Sequence, residues 1–102
     1  MSAGLDVTPQ QRELLEKLLR EYIPGARVWA FGSRAQGGAR PESDLDLAVF
    51  SGPEQTAAVS RLREALEEST LPFRVDVLIW REIPESFQKN ITDAHVALVE
   101  NP

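Results

Sequence analysis

The chain has no cysteine and a single histidine, His95. That excludes disulfides and zinc–thiolate sites and fits a reducing compartment. No apolar run approaches the ~18 residues that a spanning helix requires, and no charged-then-apolar leader opens the chain. The expectation is therefore a cytoplasmic protein with no membrane insertion. Basic residues are also scarce: eleven Lys and Arg stand against sixteen Asp and Glu, for a net charge of −5. The arginines are scattered along the chain, with no basic stripe to follow a nucleic-acid backbone. Direct nucleic-acid binding and template-directed synthesis are thus disfavoured. Length sets another limit, since 102 residues allow one domain, 1–102, with one modest core.

What the sequence does contain is a set of badly housed carboxylates. Asp44 and Asp46 open the apolar run Leu45-Asp46-Leu47-Ala48-Val49-Phe50. Asp76 sits inside Phe73-Arg74-Val75-Asp76-Val77-Leu78-Ile79-Trp80. A carboxylate in an apolar setting costs several kcal/mol unless a cation or hydrogen bonds compensate it. Residues two apart on a strand share a face, so Asp44 and Asp46 project together while Leu45 and Leu47 point to a core. If the two strands are neighbours, Asp76 joins the same patch. Three hard oxygen donors beside a phosphate-binding turn point to magnesium and a nucleotide.

That turn is Gly32-Ser33, between the strand-like Ala26–Phe31 and a short helix beginning near Arg34. Gly32 permits close backbone approach and positive φ. The amide groups and dipole of a helix start suit a phosphate, and the Ser33 hydroxyl adds a hydrogen bond. Arg34 is a candidate for neutralising phosphate charge. Solvated surface is the alternative for it and for Arg40.

Helical and strand-like patterns alternate along the chain. Thr8 can cap a first helix, with Pro9 at its first position and Gln11 closing a capping box. Leu14, Leu15, Leu18, Leu19 and Tyr22 form its apolar stripe, and Pro24-Gly25 stops it. Strands are expected at 27–31, from Leu45, at 73–79 and at 95–99. A second long helix starts near 51–53 with Ala58, Leu62, Ala65 and Leu66 facing inward. Pro84 opens a last helix carrying Phe87, Ile91 and Ala94. This gives an α/β fold whose small mixed sheet pairs the first two strands antiparallel and the second and third in parallel. Helices pack mainly on one face, and the aspartate face stays open for nucleotide. Trp29 and Trp80 are read as core or edge cover, Trp80 being the better surface candidate, and His95 as a packing or capping residue.

The string Phe31-Gly-Ser-Arg-Ala-Gln-Gly-Gly-Ala-Arg-Pro-Glu-Ser-Asp-Leu-Asp-Leu47, a Gly-Ser pair ten residues ahead of Asp-Leu-Asp, resembles the minimal nucleotidyltransferases of the polymerase β-like superfamily. Asp76 between two valines is a further match. The chain departs from the pattern at His95, where relatives often have Gly, which bears on the last turn and not on the aspartates.

The resemblance implies the nucleotidyltransferase fold and transfer of a nucleotide from a triphosphate, with release of pyrophosphate. It implies two Mg²⁺ ions, ~4 Å apart in such chemistry, with Asp44 and Asp46 bridging both and Asp76 binding the one nearer the attacking hydroxyl. Gly32 and Ser33 hold phosphates. Members of this group are often encoded beside a HEPN-domain toxin and are understood to transfer AMP from ATP to one of its tyrosines, acting as the antitoxin of a toxin–antitoxin module. Larger superfamily members carry a domain that grips the acceptor. A chain without one needs a partner to bring the hydroxyl, and a small domain with several apolar strands also suits homo- or hetero-oligomer formation.

Two other readings remain open: a non-catalytic antitoxin or binding module that neutralises its partner by direct binding, and transfer to a small molecule such as an aminoglycoside. Asp76 also has a structural alternative, pairing with Arg74 or Arg27.

Overall fold

The first helix, α1 (Pro9–Tyr22), begins where its capping residues require. Thr8 Oγ1 accepts from the Gln11 amide at 3.0 Å, and Gln11 Oε1 accepts from the Thr8 amide at 2.9 Å. The box satisfies two otherwise orphaned N–H groups. From the apolar stripe, Leu15 and Leu19 become fully buried. In the computed structural model the described residues are 4–100; residues 1–3 and 101–102 of the expected 1–102 domain lie outside them. After α1 come β1 (Arg27–Phe31), α2 (Ser33–Gln36), β2 (Leu45–Phe50), α3 (Thr56–Glu67), β3 (Val75–Ile79), α4 (Glu85–Asp93) and β4 (Val96–Val99). Short 3₁₀ turns at Pro53–Gln55 and Trp80–Glu82 lead out of β2 and β3. Among the described residues no helix is long and apolar enough to cross a membrane.

The four strands lie in the order β3-β2-β1-β4. β1 pairs antiparallel with β2 and with β4, and β2 pairs parallel with β3. For the two pairs that are consecutive in the chain, connection length explains the difference: the long α3 supplies the crossover from β2 to β3, whereas only the four-residue α2 lies between β1 and β2. The sheet is therefore mixed, as the pattern of elements implies. Alternation then sorts the side chains. Val28, Ala30, Leu45, Leu47, Val49, Val77 and Ile79 face one way and form the main core with Leu15, Leu19, Val59, Leu62 and Leu66 of α1 and α3. Each fully buried Leu or Val contributes roughly 1.5–3 kcal/mol of transfer free energy.

The inner face of α3 is centred on Val59, Leu62 and Leu66, with Ala58 only packed against its margin. That is a small rotation from the expected set of Ala58, Leu62, Ala65 and Leu66. The helix proper begins at Thr56 because a 3₁₀ turn occupies its expected first residues.

The opposite sheet face is less open than expected. Ile83, between the 3₁₀ turn and α4, and Ile91 of α4 bury Phe31 and Ala48, and Trp29 and Trp80 pack beside them. Trp80 stacks on Phe50 at 4.7 Å, so it is part of this second layer and not a free surface. His95 fills the packing and capping role read for it. Its Nδ1 lies 3.0 Å from the Ile91 carbonyl, and its ring stacks on Trp29 at 3.7 Å. The aspartate end of the face is what α4 leaves uncovered.

Candidate active site

Strand register decides which carboxylates meet. The parallel β2–β3 ladder sets Asp46 directly opposite Asp76, and the antiparallel β1–β2 ladder sets Phe31 opposite Asp46 on the other side. Gly32 follows Phe31, so its backbone stands against Asp46. It adopts φ +82° and ψ −165°, a conformation open essentially only to glycine. A Cβ there would land on Asp46 Oδ2. Ser33 begins the four-residue α2 and is exposed. Gly32, Ser33, Asp46 and Asp76 are thus brought to one end of one sheet face.

Asp44 precedes the first strand residue and is exposed. It is held close through its neighbour, since the Leu45 amide donates to the Arg74 carbonyl at 2.8 Å. The three charges act on one another. Burial first, then the charges of Asp76 and Asp44, push the Asp46 carboxyl above its ordinary value. Asp76 Oδ1 lies 3.4 Å from Arg74 Nε, the structural pairing weighed as an alternative. Both side chains are well exposed, and such a pair is worth little. Arg27, the other candidate partner, pairs with Glu100 at 3.4 Å instead.

Among the described residues no three acidic or histidine side chains stand in a ready-made cation cage. Asp44 is exposed ahead of its strand, and Asp76 is drawn towards Arg74. The chemistry of the set nonetheless fits a hard divalent cation: oxygen donors only, with the Asp46 carboxyl pushed up first by burial and then by the other two charges.

Arg34 is not available to a phosphate, and that reading is corrected. The side chain is buried, and its guanidinium donates to the carbonyls of Ser43 (2.8 Å), Asp6 (2.8 Å), Pro41 (2.8 Å) and Arg40 (3.3 Å). Its plane also covers the Phe73 ring at 4.1 Å.

A cavity of about 250 Å³ opens beside Asp46, walled by Gly32, Gln36, Phe87 and Asn90 among others. Phe87 lies on α4, the helix expected to carry it with Ile91 and Ala94. It is 39% exposed, edge-on to Phe31 at 5.7 Å, and lines this cavity. Asn90 carried no signal, because only the packing of α4 across the sheet brings it to Gly32, whereas Gln36 stands there by local geometry, at the end of the short α2 that starts beside Gly32. A larger groove, about 670 Å³, runs along the outer edge of β3 and shares Asp76 and Arg74 with the site.

Comparison with known proteins bears on the fold and on the sequence as a whole. The family model described as polymerase beta, nucleotidyltransferase, matches residues 13–102. A Haemophilus influenzae protein named Probable protein adenylyltransferase MntA is 41% identical over 99 residues, covering 96% of this chain and 87% of that protein. A toxin–antitoxin crystal structure with AMP-PNP contains a chain that superposes with a TM-score of 0.71 at 26% identity, covering 90% of this chain and 73% of the other. A structure described as a minimal nucleotidyltransferase superposes with a TM-score of 0.69 at 34% identity, covering 85% and 88%. The match of fold, and of nearly the whole sequence, makes this chain a nucleotidyltransferase of the polymerase β family.

Proposed function

We propose that the protein transfers AMP from ATP to a tyrosine hydroxyl of a HEPN-type toxin partner, and that it is the antitoxin of that pair in the cytoplasm. The observation that carries this reading is the pairing of Asp46 with Asp76 across neighbouring strands, hard against Gly32. Similarity to a protein named an adenylyltransferase, and to a toxin–antitoxin structure with AMP-PNP, supports the nucleotide and the partner.

Asp44, Asp46 and Asp76 would hold two Mg²⁺ ions, whose chemistry is to stabilise charge on the attacking and leaving oxygens. The chain's own part is placement. Gly32 and Ser33 hold the β- and γ-phosphates through backbone amides and a hydroxyl. The cavity beside Asp46 takes the base, with Phe87 as its stacking face and Asn90 and Gln36 as polar contacts. Asp76, at the open sheet edge, lies nearest an incoming acceptor and takes the hydroxyl proton. The hydroxyl oxygen then bonds to the α-phosphorus, the bond from that phosphorus to the bridging oxygen breaks, and pyrophosphate departs. Alignment and electrostatics supply the rate, with no covalent protein intermediate.

The test uses ATP labelled at the α-phosphate, Mg²⁺ and the product of the neighbouring gene. Label should pass to that protein, and Asp44→Asn plus Asp46→Asn should lower transfer by about 10²–10³-fold or more, as expected for losing preorganised electrostatic groups. The binding-module reading draws on the exposed Asp44 and the lack of a ready cage among the described residues. It predicts instead that the double variant still neutralises the toxin fully.

A further inference from the structure

Arg34 is 6% exposed, and among the described residues no carboxylate pairs with it. A buried cation is tolerated only when its donors are satisfied. Here four of the five guanidinium N–H groups point at carbonyls, and Phe73 covers the flat face. Three of the four acceptors, Arg40, Pro41 and Ser43, belong to the loop that delivers the chain to Asp44. The fourth is Asp6, whose amide donates back to the Arg34 carbonyl at 2.7 Å.

That loop has little else to hold it. It starts with Gly37 and Gly38, both at positive φ. It closes on itself only through the Ser43 amide to the Arg40 carbonyl and the Arg40 amide to Ser43 Oγ, each at 2.9 Å. Asp44 lies outside the sheet ladder, and among the described residues the hydrogen bonds nearest to it are those of its two neighbours. On one side Arg34 Nε holds the Ser43 carbonyl; on the other the Arg74 carbonyl holds the Leu45 amide. We propose that Arg34 is a positioning residue for the cation site, clamping the 40–43 loop so that the backbone of Asp44 is set beside Asp46. The inference rests on the reading of Asp44, Asp46 and Asp76 as cation ligands. A planar fork is essential to it, because one ammonium cannot span carbonyls from residues 6, 40, 41 and 43 at once.

The test is Mn²⁺ binding by calorimetry, with a non-hydrolysable ATP analogue present, to the full chain and to Arg34→Lys. The Lys variant should keep its circular dichroism spectrum and a cooperative melt. It should bind Mn²⁺ about 10-fold or more weakly, the usual cost of losing a group that orients a metal ligand. Its AMP transfer should recover as Mn²⁺ is raised, which a purely structural lesion would not allow. Folded Arg34→Lys with unchanged Mn²⁺ affinity overturns the proposal. If that variant does not fold, Pro41→Gly decides. It leaves the guanidinium and its carbonyl acceptors in place, so Mn²⁺ affinity should be unchanged; a loss of about 10-fold would mean that the loop's own stiffness, and not Arg34, sets Asp44, and would overturn the proposal. Failure of the unsubstituted chain to bind Mn²⁺ would instead remove the three-aspartate site itself, and this inference with it.

Discussion

Asp46 is the residue at which folding and function pull apart. Burial and two neighbouring carboxylates raise its carboxyl above the ordinary value. Between the ordinary and the raised value the folded protein therefore keeps a proton that the unfolded chain has released. The stability associated with this group is full below the ordinary carboxylate range and is lost as pH rises through the raised value. At neutral pH without divalent cations, Asp46→Asn should accordingly be more stable than the unsubstituted protein, by urea midpoint in chelator. The gap should close as pH falls towards ~4, where the unfolded carboxyl takes up its proton. A variant no more stable at pH 7 would remove the claim that Asp46 is a partly buried and uncompensated charge. Gly32 makes the complementary case. Gly32→Ala forces a side chain into a glycine-only conformation, at about 1–3 kcal/mol, and drives its Cβ onto Asp46 Oδ2. Stability and transfer should both fall. Gly37→Ala has the same positive φ with nothing in reach of its Cβ, so it should lose stability while cation binding survives.

Elements differ in how far they could be read in advance. α1 was legible to its cap because Thr8, Pro9 and Gln11 act within one turn. The parallel β2–β3 pair was legible because a crossover helix admits little else, and with it came the meeting of Asp46 and Asp76. Arg34 was not legible. Its burial depends on carbonyls from two segments distant from each other in sequence, and no side-chain pattern announces a carbonyl. Nor could α4 be placed from its own stripe, which fits either sheet face. Only the fold shows Ile91 buried against the aspartate face while Phe87 stays at the cavity mouth. That division gives α4 two separable jobs. Phe87→Ala should lower the melting temperature by less than truncation of the fully buried Ile91, because the ring is 39% exposed. Its KM for ATP should rise about 5-fold or more, the low end of the ~1–3 kcal/mol that base–aromatic stacking contributes. An unchanged KM would move the base out of this cavity.

At the scale of the whole molecule, a 102-residue chain with net charge −5 places three carboxylates at one sheet end. A domain of this size is stable by only about 5–10 kcal/mol, so a ligand bound by the folded state alone is visible in its melting. At 100 times its dissociation constant such a ligand adds about 2.7 kcal/mol. For a domain of this length that raises the melting temperature on the order of 10 °C. Mg²⁺ with an ATP analogue should produce such a shift. Two causes could give it: occupation of the aspartate site, or screening of the overall negative charge. Screening depends on ionic strength and not on which carboxylates remain. KCl at matched ionic strength should therefore reproduce only the generic part, and Asp44→Asn plus Asp46→Asn should abolish the remainder although it also lowers the net negative charge. If KCl matched Mg²⁺, or the double variant kept the full shift, the cation would be acting on the molecule's overall charge and not on a site built from β2 and β3.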